Sequence, residues 1–125
     1  MANVVLCGSM KVKEDIFHIQ KQLEEMGFHV YLPEECIQGL PKVVASRAHF
    51  DRITNPENEI ILIVNATKKG IDNYIGPNSF AEIAFGFYHK KKVYLLNDYY
   101  EPYLDELEGW GVTPLKGDLS KLKNN

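Results

Sequence analysis

Residues 59–64 (EIILIV) carry five consecutive apolar side chains, four of them β-branched, and so leave no polar face. A run of this kind is extended and must be covered on both sides, which makes it the middle strand of a parallel sheet. Three shorter runs fit beside it. Residues 3–7 (NVVLC) form a buried strand ending in a tight Gly8-Ser9 turn, residues 28–32 (FHVYL) stop at Pro33, and residues 93–96 (VYLL) follow a lysine run. Residues 112–115 add a possible edge strand.

Helical spacing separates these strands. Within residues 13–26, Ile16, Ile19, Leu23 and Met26 recur on one face, and Gly27 stands where a C-terminal cap belongs. Residues 34–41 read as a loop. Residues 41–53 place Val43, Val44, Ala48 and Ile53 at helical positions before Thr54-Asn55-Pro56 breaks the pattern. Residues 68–77 form a Gly-, Asn- and Lys-containing connection long enough to serve a function. A helix opening at Asn78 or Ser79 runs to about His89, where Lys90, Lys91 and Lys92 suit a helix C-terminus. Residues 97–102 form a loop, residues 103–110 a short helix and residues 117–125 a frayed polar tail. Strands alternating with helices imply right-handed crossovers, so the expected fold is a single α/β domain over residues 1–125. It is a doubly wound, flavodoxin- or Rossmann-like parallel sheet of four to five strands with helices on both faces.

Composition narrows the function. A formal net charge of −3 with mixed signs gives no broad basic surface for a nucleic acid polymer. No apolar run of membrane-spanning length and no leader pattern is present, so a cytoplasmic protein with no membrane partner is expected. Cys7 and Cys36 are expected to be reduced. His18, His29, His49 and His89 lack metal-ligand spacing and read as surface or packing residues; no metal and no cofactor are expected. The G-x-G-x-x-G and P-loop phosphate cradles and the acidic cluster of a receiver domain are missing.

Ligands of open α/β sheets bind outside the carboxyl ends of the strands, which singles out two stretches. Gly8-Ser9-Met10-Lys11 offers free amides, a hydroxyl and, with Lys13, a cation for a phosphate or a sugar hydroxyl. Tyr74-Ile75-Gly76-Pro77-Asn78-Ser79, leading to Glu82, presents amides, Asn78 and Ser79 at a helix start. Glu82 is expected in the first turn, either as a reacting carboxylate or as the partner of Ser79 in a capping box. Tyr74, Tyr99 and Tyr100 either stack on a base or pack as a lid.

Residues 60–98, with the Tyr-Ile-Gly-x-Asn-Ser-x-x-Glu motif of residues 74–82, resemble the nucleoside 2-deoxyribosyltransferase-like superfamily, above all its small members. The resemblance implies that Glu82 attacks the anomeric carbon of a nucleoside or nucleotide, giving an N-glycosidase, that is a hydrolase, or a deoxyribosyl transferase. Asn78, Ser79, Gly8 and Ser9 would orient sugar and phosphate, with Lys11 nearby. Members with known activity carry an aspartate six residues before the glutamate, where this chain has Gly76; Asp72, Asn73 or Asn65 would have to substitute. The resemblance also implies a homo-oligomer. The alternative is a non-catalytic nucleotide-binding or sensing module of the same fold.

Overall fold

The computed structural model describes residues 2–124. Its sheet has five parallel strands: β1 (Asn3–Cys7), β2 (His29–Tyr31), β3 (Ile60–Ile63), β4 (Lys92–Leu95) and β5 (Thr113–Pro114), in the order β2-β1-β3-β4-β5. β3 lies centrally, as its unbroken apolar sequence requires, pairing Ile61 with Val5 on one side and with Val93 on the other. Among the described residues five α-helices connect the strands: α1 (Lys13–Glu25), α2 (Glu34–Gln38), α3 (Lys42–Thr54), α4 (Pro77–Tyr88) and α5 (Leu104–Gly109).

Alternation along each strand divides the core in two. Val4, Leu6, Ile60 and Leu62 pack with Ile16, Ile19 and Leu23 of α1 and with Leu115 and Leu122 near the C-terminus. Val5, Cys7, Ile61 and Ile63 pack on the opposite face with Ile53 of α3, Ile83 of α4 and Leu107 of α5. The doubly wound α/β fold is thus present.

Three expectations about local structure are corrected. The segment read as a loop after Pro33 contains α2, held by the Arg52–Glu34 contact at 2.8 Å. The tail read as frayed forms a 3-10 turn, Leu119–Asn124, because Leu122 is an anchor only 2 % exposed. The third correction bears on the site: α4 starts at Pro77, not at Asn78 or Ser79. Proline's fixed φ suits the first helical position, and Gly76 in extended conformation precedes it as cap. Glu82 therefore falls in the second turn, and the cap makes no side-chain hydrogen bond, so the Ser79–Glu82 capping box does not form.

Among the described residues no helix is long and apolar enough to cross a membrane. The outer face of α4 leaves Phe85, Phe87 and Tyr88 exposed.

Candidate functional site

β1 and β3 are neighbours whose chain connections leave in opposite directions, and ligands of this fold bind at such a switch point. A cavity of about 280 Å³ lies there. Gly8, Ser9, Met10 and Lys11 form one wall, Tyr74, Gly76, Pro77, Asn78 and Ser79 contribute another, and Glu35, Lys42 and Lys68 close the rim. Two stretches some seventy residues apart thus meet in one place, with Gly8, Ser9, Lys11, Tyr74, Gly76, Asn78 and Ser79 all lining it.

Gly8 lets the chain turn closely. A Cβ there would stand 3.1 Å from Ile16 Cδ1 and 3.3 Å from the Val64 carbonyl oxygen. Ser9 caps the following 3-10 turn, its Oγ accepting from the Lys11 amide at 3.1 Å. Lysines dominate the rim. The Lys68 ammonium is held below its ordinary pKa by desolvation and then by the neighbouring Lys11 and Lys69 cations, and it lies 4.7 Å over the Tyr74 ring. Crowded cations of this kind are relieved by an anion.

Glu82 stands behind this wall instead of in it. It is 4 % exposed, and Asn78, which lines the cavity one helical turn earlier, donates from Nδ2 to Glu82 Oε2 at 3.4 Å. Burial pushes the Glu82 carboxyl up to about 8. A hydrogen bond from Cys7 and the Lys42 charge oppose that rise, while Glu35 adds to it.

Two further side chains complete this buried spot, and neither was marked by the sequence pattern. Cys7 Sγ lies 3.2 Å from His49 Nε2, and Glu82 Oε2 lies 3.8 Å from the same nitrogen. Burial lowers the His49 pKa to about 4, aided by Arg52 and opposed by the Leu6 carbonyl, so the ring is neutral at physiological pH. Burial, and then Glu82, raise the Cys7 thiol well above its ordinary value. Cys7 is consequently no thiolate nucleophile.

The remaining candidates lie elsewhere. Asn65 is fully buried and serves the backbone: its Nδ2 donates to the Asp98 carbonyl at 2.8 Å, and its Oδ1 accepts from the Asn97 amide at 2.9 Å. Asp72 is exposed on the loop before α4, accepting from Thr67 Oγ1 at 3.3 Å. Neither lines the cavity, so neither Asn65 nor Asp72 replaces the aspartate that Gly76 lacks. Tyr99 donates from its hydroxyl to the Val112 carbonyl at 3.2 Å, and Tyr100 stands edge-on to Tyr74 with ring centroids 5.5 Å apart, both as packing groups.

Glu35, Lys42 and Lys68 join the site without a sequence signal, since only the fold brings α2, α3 and the loop after β3 to the same rim. Comparison with known proteins finds no matching family model, no matching curated protein and no matching solved structure.

Proposed function

We propose that this chain cleaves or transfers the N-glycosidic bond of a nucleoside or nucleotide, with Glu82 as the nucleophile. The observation that carries the proposal is a carboxyl group placed directly behind the wall of a lysine-rimmed cavity at the sheet's switch point and linked to that wall through Asn78. Lys11, Lys42 and Lys68 suit a phosphorylated ligand, held with the amides of the Gly8-Ser9 turn. A sugar next to that phosphate reaches Asn78 and Ser79.

In the chemistry proposed, a ligand hydroxyl takes over the Asn78 amide and frees Glu82. The ionised carboxylate then bonds to the anomeric carbon as the carbon–nitrogen bond breaks. The base leaves with the bonding pair and takes a proton from water, and a glycosyl ester remains. Water, or a second base, attacks that ester and regenerates Glu82. Because the attacking group must be ionised, the rate should rise with pH toward the Glu82 value of about 8. The groups facing the carboxyl are Cys7 and neutral His49, with the charges of Glu35 and Lys42 acting on it from the rim.

The test is release of free base from ribo- and deoxyribonucleosides and their monophosphates, followed by chromatography. Glu82→Gln should reduce it by about a thousandfold or more while the protein stays folded. Unchanged turnover in that variant would remove Glu82 from the mechanism.

One observation favours a second reading. Glu82 is buried and screened by Asn78, an arrangement that also suits a nucleotide-binding or sensing module without catalysis. Saturable binding with no base released, with or without an acceptor base, would select it.

A further inference from the structure

At the carboxyl end of β1, beneath α3 and α4, three donor atoms of different chemistry converge. Cys7 Sγ and Glu82 Oε2 both approach His49 Nε2, at 3.2 and 3.8 Å, and one ligand atom from each residue lies within 4.8 Å of the others. All three residues are buried, at 0, 2 and 4 % exposure for Cys7, His49 and Glu82.

Hydrogen bonds of the Cys7 thiol, to His49 Nε2 or to the Glu82 carboxyl, leave the close approach of His49 to Glu82 unexplained. A separation of 3.8 Å is too long for one, and a single ring nitrogen cannot serve both neighbours. Nor is it a nucleophile–base–carboxylate relay. That geometry puts the nucleophile and the carboxylate on opposite ring nitrogens. Here both meet Nε2, and among the described residues no carboxylate meets Nδ1.

We propose that Cys7, His49 and Glu82 bind one zinc-class divalent cation, with the fourth position left to water. Zinc bond lengths and tetrahedral angles give sulfur–nitrogen and nitrogen–oxygen edges of about 3.6 and 3.4 Å. The observed edges of 3.2 and 3.8 Å each differ from these by about 0.4 Å, a gap that small side-chain rotations close. Thiolate and imidazole ligands favour zinc or cobalt over the harder magnesium and calcium.

Charge favours the same assignment. A divalent cation with one thiolate, one carboxylate and one neutral imidazole is neutral as a unit, which suits a place beside the apolar cluster that Cys7 shares with Ile53, Ile63 and Ile83. On binding, the ion displaces the thiol proton and any carboxyl proton to solvent. Nδ1–H of the ligated ring turns to the Leu6 carbonyl, which already acts on this imidazole.

A cation held by Glu82 Oε2 draws off the negative charge that glycosidic attack requires, so loading the ion slows that chemistry. The site itself does not rest on the glycosidic proposal, because ligation is read without turnover.

The experiment is titration of Co2+ into the chelator-treated full-length chain, following thiolate-to-cobalt charge-transfer absorption, with Zn2+ competing it away. One equivalent should saturate the signal. Cys7→Ser should abolish it, His49→Gln and Glu82→Gln should weaken binding about a hundredfold, and Cys36→Ser should leave it unchanged. No charge-transfer band in the parent protein, a band that persists in Cys7→Ser, or one lost in Cys36→Ser would overturn the proposal. Should Cys7→Ser fail to fold, His49→Gln decides: undiminished cobalt affinity there overturns it as well. Base release without cobalt binding defeats this site and leaves the glycosidic proposal standing; cobalt binding without base release does the reverse.

Discussion

At the scale of single residues, environment sets the chemistry of Glu82 more than sequence position does. The carboxyl is buried, and its pKa rises from 4.5 to about 8, so the folded protein holds a proton there that the unfolded chain has released. The sign follows directly. This contribution to stability is complete below pH 4.5 and is lost as pH rises through about 8. His49 works in the opposite sense, its pKa falling from 6.5 to about 4, so its contribution is present above pH 6.5 and lost as pH falls through about 4. In chelator-treated protein, melting temperatures of the parent and of Glu82→Gln should therefore diverge between pH 4.5 and 8, the parent losing more stability as pH rises. Parallel curves would show that burial does not hold the proton on Glu82. Sequence alone could mark Glu82 by its place after a Gly-Pro-Asn-Ser turn. It could not mark His49, which lies 42 residues from Cys7 and meets it only through folding.

At the scale of elements, the turn into α4 and the clamp after β3 position the site. Gly76-Pro77 starts the helix early, which turns Glu82 away from the cap and toward Cys7 and His49. A capping box was legible from Ser79-x-x-Glu82, but proline at the first helical position has stronger claims on the helix start than a serine two residues later. Asn65 is the second device. Its side chain joins the ends of β3 and β4 by bonding the Asp98 carbonyl and the Asn97 amide, and Asn97 Nδ2 donates back to the Asn65 carbonyl at 3.1 Å. Asn65→Ala would leave buried backbone groups unpaired and should cost about 2–4 kcal/mol in chemical denaturation. A loss within about 0.5 kcal/mol would mean that the loops hold without it. Polarity at a strand end looks like ligand binding in a sequence; only the partners distinguish a clamp from a contact.

At the scale of the whole molecule, strand order decides where function resides. The central placement of residues 59–64 and the alternation of strands with helices were readable because apolar runs without a polar face have one stable solution, a sheet covered on both sides. That same order brings the Gly8–Lys11 turn and the Tyr74–Ser79 turn to one cavity, so most of the sequence-derived ligand residues prove to be neighbours. The lysines of the rim were not readable, because Lys42 and Lys68 look like any solvated cations until the fold gathers them. Their gathering predicts that a nucleoside monophosphate raises the melting temperature more than its nucleoside does, and that Lys42→Ala with Lys68→Ala removes the difference. Equal shifts for the two ligands would deny the lysines a phosphate. In the function proposed, the carboxyl behind this cavity breaks a glycosidic bond. Chromatography for free base, with parent and Glu82→Gln incubated side by side on ribo- and deoxyribonucleoside monophosphates near pH 8, tests it most directly. Base should appear with the parent and be about a thousandfold less with the variant. Equal base from both, or none from the parent despite saturable nucleotide binding, would contradict it.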